Sequence, residues 1–185
     1  MIACLDQTDS PAGPIAFAVN ERAELIRISF LDGINQYSIG EELARDGYRV
    51  APASDLTSPI REQLDAYTRG ELLKFDIPVA MQGTEWQQRV WRELMTIPFG
   101  QTRSYGEIAE IVCTIRASRA VGRANATNPI PLVIPCHRVI GANGQLTGFG
   151  GGLHLKKALL EHERQILQQL DAAPAGTQRT LLTAS

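Results

Sequence analysis

Two segments near the start of the chain read as strands: an unbroken apolar run, Pro14-Ile15-Ala16-Phe17-Ala18-Val19, and Leu25-Ile26-Arg27-Ile28-Ser29-Phe30, in which apolar and polar positions alternate. A period of two marks half-buried strands, and polar Asn20-Glu21-Arg22 between them reads as a hairpin connection. Residues 59–67 read instead as a helix opening on Pro59, with Ser58 as N-cap and Gly70 as stop. Thr84 is placed to cap a second helix with Trp86, Val90, Trp91 and Leu94 on one apolar face, ended by Pro98-Phe99-Gly100. Ser104 and Glu107 have capping-box spacing at the head of a helix over 105–112. After a short break, residues 116–125 give a second short helix, basic and built of small residues. Further on, Asn143-Gly144 predicts a hairpin turn between Val139-Ile140 and Leu146, and 148–152 form a glycine-rich loop. Over 153–170, Leu155, Leu159, Ile166, Leu167 and Leu170 draw an apolar stripe. The pattern predicts an α+β fold: an N-terminal α/β domain over 1–80 with a small antiparallel sheet, and a mostly helical C-terminal domain over 83–170. The tail over 171–185 is expected to be disordered.

Composition narrows this. At 185 residues and 44% hydrophobic content, the chain can bury one core, or one core and a satellite. Cys4, Cys113 and Cys136 are odd in number and widely spaced, which argues against a disulfide framework and a cysteine-rich zinc site. Cys113 reads as a buried structural thiol. No signal segment and no membrane-length apolar run is visible, so a soluble, cytoplasmic protein is expected. The net charge of −2 hides an asymmetry. From Ile111 to Leu160 there is no acid, and Arg116, Arg119, Arg123, Arg138, Lys156 and Lys157 give +6. The remainder has twelve basic and twenty acidic residues, or −8. One face turned to a polyanion explains the asymmetry, and so does a chance cluster. The helix pair over 105–125 fits a helix-turn-helix, although ordinary helical hairpins are commoner; the acid-free span favours DNA.

The chemistry concentrates at Pro135-Cys136-His137-Arg138, within an apolar, β-branched surround that predicts a thiol at the end of a buried strand. A thiol attacks as thiolate and needs a base, and an imidazole is adjacent. Glu163 falls on the apolar stripe of the last helix. A carboxylate there is costly unless paired. It is either a rim or salt-bridge position, or the group that orients His137.

These residues resemble the active-site signature of the O6-alkylguanine-DNA alkyltransferases, from Asn128-Pro129 through Pro135-Cys136-His137-Arg138-Val139. The resemblance covers nearly all of 83–163, including 83–91, Ser104-Tyr105-Gly106-Glu107, Arg119-Ala120-Val121-Gly122 and 159–163. It is loose in the N-terminal half. It implies direct-reversal repair: a single-use transfer of the alkyl group from O6-alkylguanine, and from O4-alkylthymine, in a flipped-out base to Cys136. By the same resemblance His137 is the base through a bridging water, Glu163 holds the imidazole, Asn128 braces the turn, and Tyr105 assists the leaving base. Arg119 fills the vacated stack, while Ser104, Arg116, Ala120, Gly122 and Arg123 contact the minor groove. Val139, Phe149, Gly150 and Tyr105 line the base pocket. Cys136 and Val139 accept through their carbonyls, and Gly150 faces O6 through its N–H. No metal, cofactor, membrane or obligate protein partner is implied; the protein is expected to be a monomer, with cooperative loading on DNA left open. A non-catalytic lesion binder and a cysteine hydrolase are the alternatives.

Overall fold

The structure, a computed structural model, describes residues 1–31 and 38–172. Strands β1 (Ile2–Ser10), β2 (Gly13–Asn20), β3 (Leu25–Phe30) and β4 (Arg49–Pro52) form one sheet in the order β3-β2-β1-β4. The predicted hairpin is present, with Phe17 opposite Ile28. The sheet is mixed rather than purely antiparallel, because β4 joins β1 in parallel with Cys4 beside Ala51. Alternation sorts the side chains of β2. Ile15, Phe17 and Val19 enter the main core, while Ala16 and Ala18 face helix α1 (Ile39–Arg45) through Ile39 and Leu43.

Helix α2 (Ser58–Thr68) buries Ile60, Leu64 and Tyr67. Its N-cap is Thr57, not Ser58. Ser58 and Pro59 are already helical, and the Thr57 hydroxyl donates to the Ser54 carbonyl at 2.8 Å. Gly70 stops it with φ +74°, a conformation glycine adopts without penalty.

Helices α3 (Glu85–Leu94) and α4 (Tyr105–Val112) both begin in capping boxes, Thr84 with Gln87 and Ser104 with Glu107. Helix α5 (Ser118–Ala126) follows a 3-10 turn over Ile115–Ala117, so the basic helix starts two residues later than expected and Arg116 sits in the turn. Cys113 ends α4 and is exposed, contrary to its reading as a buried thiol. Trp91 Nε1 donates to the Ala124 carbonyl at 2.8 Å, and Trp86 Nε1 to that of Ala120 at 3.4 Å; the two indoles hold α5 from behind.

The Asn143-Gly144 turn forms, with Gly144 at φ +78° and the Gly141 N–H donating to the Gln145 carbonyl. It closes no hairpin. Strand β6 (Val139–Ile140) pairs in parallel with β5 (Arg103–Ser104), which joins the active-site segment to the head of α4. Helix α6 (Leu153–Ala172) takes in Asp171 and Ala172; the rest of the predicted tail lies outside the described residues. One core runs through both halves, from Phe17 and Tyr67 to Trp91, Ile134 and Leu159. Among the described residues no helix is long and apolar enough to cross a membrane.

Candidate active site

The site begins at a braced turn. Asn128 Oδ1 accepts from the Ile130 N–H at 3.0 Å, and its Nδ2 donates to the Ile134 carbonyl at 2.8 Å. These two bonds span a turn in which Leu132, buried, is held at φ +75°, a strained value for a side chain of that size. Pro135 follows at φ −79° and ψ 64°, an inverse γ-turn closed by the Cys136 N–H on the Ile134 carbonyl at 2.7 Å. The chain therefore bends before the cysteine. Cys136 opens a 3-10 turn over Cys136–Arg138 rather than ending a strand, because Pro135 locks the bend and β6 begins only at Val139.

The turn sends Cys136 to a cavity wall and both His137 and Arg138 to Glu163. Cys136, 4% exposed, lines a cavity of about 110 Å³ together with Phe30, Asn125, Asn128, Phe149 and Gly150. A larger cavity, about 630 Å³, lies across Pro135 and Arg138 and does not include the cysteine. Burial pushes the Cys136 thiol up to about 11, against the opposing influence of Asn128 and of the Lys156 charge. At neutral pH it is a protonated thiol and must lose its proton during reaction.

His137 is fully buried, with Nε2 at 2.9 Å from Glu163 Oε1. Burial lowers its pKa by more than Glu163 raises it, so the ring is neutral at rest. For Glu163 burial works upward, but the contacts to His137 and Arg138 hold the carboxyl well below the usual range. An ionised carboxylate only accepts, so Nε2 carries the ring proton and the Nδ1 lone pair is left free. Nδ1 has no hydrogen-bond partner among the described residues.

Arg138 Nε and Nη2 grip both oxygens of Glu163 at 2.8–3.1 Å, and Nη1 donates to the Ile97 carbonyl at 2.6 Å. Gly100 donates its N–H to Glu163 Oε2 at 2.8 Å, and the Tyr67 hydroxyl donates to Oε1 at 2.8 Å. Gly100 is at φ +71°, where a Cβ would come within 2.2 Å of Leu167. Every lone pair of the buried carboxylate is thus used.

The glycine-rich loop is fastened from two sides. Lys156, fully buried, donates to the carbonyls of Val139 at 2.5 Å and Thr147 at 2.8 Å; burial brings its pKa down to about 8. Tyr105 donates its hydroxyl to the Thr147 carbonyl at 3.0 Å, and burial raises its pKa. The two carbonyls expected to face the base are already engaged, Cys136 by Asn125 Nδ2 at 3.3 Å and Val139 by Lys156. Val139 is buried and does not line the thiol cavity, whereas Phe149 and Gly150 do. Arg116, Arg119 and Arg123 are exposed, and their side chains pair with no described residue; Ala120 and Gly122 are half-buried beside them. Ser104 is occupied as the α4 cap. Among the described residues no group of three His, Cys, Asp or Glu side chains could hold a metal ion.

The sequence reading missed the roles of Tyr67, Arg138, Asn125 and Lys156. Lys156 had a usable signal: it precedes Leu159 by three and Glu163 by seven, on the buried face of α6.

A family model described as "6-O-methylguanine DNA methyltransferase, DNA binding domain" matches residues 85–165, and one described as "6-O-methylguanine DNA methyltransferase, ribonuclease-like domain" matches 6–81. The methylated-DNA–protein-cysteine methyltransferase of Mycobacterium leprae is 48% identical over 171 residues, 92% of this chain and 98% of the relative. The protein of that name from Methanosarcina acetivorans is 44% identical over 155 residues, 84% of this chain and 94% of its own length. The fold is similar to the Mycobacterium tuberculosis O6-methylguanine methyltransferase, with a TM-score of 0.76 and 42% identity over 94% of this chain and 96% of that one. It is similar also to Mycobacterium tuberculosis OGT solved in complex with DNA, at 0.75 and 43% over 88% and 93%. With both domain models matched along most of its length and such relatives covered almost entirely, the chain belongs to the 6-O-methylguanine DNA methyltransferase family.

Proposed function

We propose that this protein repairs alkylated DNA by direct reversal, moving the alkyl group from guanine O6 to the sulfur of Cys136 once per molecule. The observation that carries this reading is the buried thiol on the cavity wall, followed by an imidazole whose Nε2 is locked on an ionised, buried Glu163. O4-alkylthymine presents the same C–O bond and is a second substrate.

The reaction follows from the groups present. The Cys136 proton passes through a bridging water to His137 Nδ1, and Glu163 stabilises the imidazolium that forms. Sulfur attacks the alkyl carbon. The C–O bond breaks, its electron pair stays with the purine, and a thioether remains on the protein. Tyr105 donates to the departing base, which requires its bond to the Thr147 carbonyl to break when the base enters. The cavity of about 110 Å³ is small for a ligand pocket, so the glycine loop must give way to admit a base.

Such a base cannot be reached inside a duplex and must be flipped out, at a cost of roughly a few kcal/mol. Unpaired Arg119, with Arg116 and Arg123 on the phosphates, suits a helix laid in the minor groove without reading sequence. The domains fall at 1–80 and 83–170. The protein acts as a monomer in the cytoplasm, where its DNA substrate is. No observation favours a hydrolase or a lesion binder without chemistry.

Intact mass after incubation with duplex DNA holding one O6-methylguanine is the test. One methyl per chain, mapped to Cys136, with guanine restored and no second turnover, is expected. A wild-type chain that gains no mass, or undiminished transfer in Cys136→Ser, overturns the proposal.

A further inference from the structure

Three residues donate to Glu163 Oε1: His137 through Nε2 at 2.9 Å, Arg138 through Nη2 at 2.8 Å and Nε at 3.1 Å, and Tyr67 through its hydroxyl at 2.8 Å. His137 and Arg138 belong to the 3-10 turn that carries the thiol. Tyr67 arrives from α2, in the other half of the chain. Its ring is seated independently, with centroids at 5.1 Å from Phe75 and 5.8 Å from Phe99. The backbone is fixed too, since His162 Nε2 lies 3.1 Å from the Tyr67 carbonyl. Packing alone would be met by phenylalanine, yet the hydroxyl is aimed at the oxygen that holds the imidazole.

We propose that Tyr67 is a positioning residue for the transfer reaction: by competing with His137 for one carboxylate oxygen, its hydroxyl limits the basicity that Glu163 lends to the imidazole and keeps His137 neutral. This rests on the reading of Cys136 as acceptor and His137 as base. Each donor on an oxygen withdraws charge and weakens the next one's bond. Without the Tyr67 hydroxyl, Oε1 interacts more strongly with His137 and stabilises its protonated form. A protonated His137 has no lone pair at Nδ1 and cannot take the thiol proton.

The charged neighbours frame the competition. Glu163 alone favours protonation of His137, while Arg138 and Lys156 oppose it. Tyr67 faces Glu163 and Arg138, with the His162 ring at 5.6 Å. Burial and Glu163 hold the Tyr67 phenol well above its ordinary value, so it stays a donor throughout the working range.

Tyr67→Phe removes one oxygen and keeps the ring. The experiment compares single-turnover methyl transfer by the full chain, from about pH 5.5 to 9, with the imidazole titration of His137 followed by NMR. The variant should titrate His137 at higher pH. Its rate relative to wild type should fall roughly two- to tenfold near pH 6, the span of one hydrogen bond, and converge above about pH 8. Phe75→Leu loosens the same aromatic cluster without touching the hydroxyl, and should lower Tm while leaving the His137 midpoint where it was. An unmoved midpoint in Tyr67→Phe, or an equal shift in Phe75→Leu, overturns the proposal and leaves Tyr67 a packing residue. A wild-type chain that takes no methyl would overturn the alkyl-transfer reading instead, so the two failures are distinguishable.

Discussion

Glu163→Gln separates what the buried carboxylate does for the fold from what it does for the chemistry. The side chain keeps its shape and loses its charge. All its present partners donate: the Tyr67 hydroxyl, the Gly100 N–H, His137 Nε2, and Nε and Nη2 of Arg138. An amide nitrogen in that ring turns at least one contact into donor against donor. It also leaves Arg138, 6% exposed, without its counter-ion. Breaking a buried pair on one side costs about 3–5 kcal/mol. For a chain of this length, at about 2–4 °C per kcal/mol, Tm should fall by roughly 6–20 °C. The pH dependence should change as well. Glu163 is depressed below its ordinary 4.5 in the folded state, so its contribution is fully present above that value and is lost as pH falls towards the folded pKa. That acid limb should vanish in the variant. His137, lowered from 6.5, produces a separate loss of stability below about that pH, which should remain. Single-turnover transfer, measured cold with folding checked by circular dichroism, should slow by about 10²–10⁴, the range of an oriented base. A folded Glu163→Gln protein reacting within about threefold of wild type would refute the assignment of His137 as base, because one hydrogen bond already accounts for that much.

Three other outcomes follow from the geometry. Arg119→Ala should slow transfer from duplex DNA more than from a free modified base, and reduce the salt slope of DNA binding by about one; equal losses on both substrates would exclude the stack-filling role. Iodoacetamide at pH 7 should label exposed Cys113 well before Cys136, whose thiol sits at about 11 and is 4% exposed, with peptide mapping as the readout; Cys136 labelled first would contradict the buried, protonated resting thiol. Asn128→Ala strands the Ile130 N–H and the Ile134 carbonyl around strained Leu132, and should cost about 2–4 kcal/mol by denaturant titration; a cost below about 0.5 kcal/mol would mean the turn holds without its brace.

How much was legible depended on whether a residue violated its local pattern. Glu163 did, as a carboxylate on an apolar stripe, and it proved to be the anchor of His137. Thr84 and Ser104 were legible because capping chemistry is local and repeats at three-residue spacing. Tyr67 was not, since a tyrosine on the buried face of a helix looks like any core aromatic until its hydroxyl partner, 96 residues away, is known. Strand β1 was hidden by its polar half: Asp6 is buried, which alternation does not predict, because Arg61 on α2 binds it. The strand end expected at Cys136 failed for a similar reason. β-branched neighbours promise extension, but the proline turn overrides them.

The acid-free span acquires a second cause. Two of its six cations, Arg138 and Lys156, are buried and belong to the site rather than to a DNA-facing surface. Lys157 stands beside Glu161 on α6 around a shallow depression, which leaves Arg116, Arg119 and Arg123 as the exposed set near α5. Acids would weaken that face against phosphate. They would also penalise the thiol: Cys136 is already pushed up to about 11 by burial, and a carboxylate near it would raise the cost of its thiolate further. The carboxylate that the site does use, Glu163, lies on the far nitrogen of His137 and is matched by Arg138, while Lys156 favours the thiolate. A stretch free of acids suits both a surface turned to DNA, as proposed for α5, and a dry cavity in which, on the proposed chemistry, a thiolate must form.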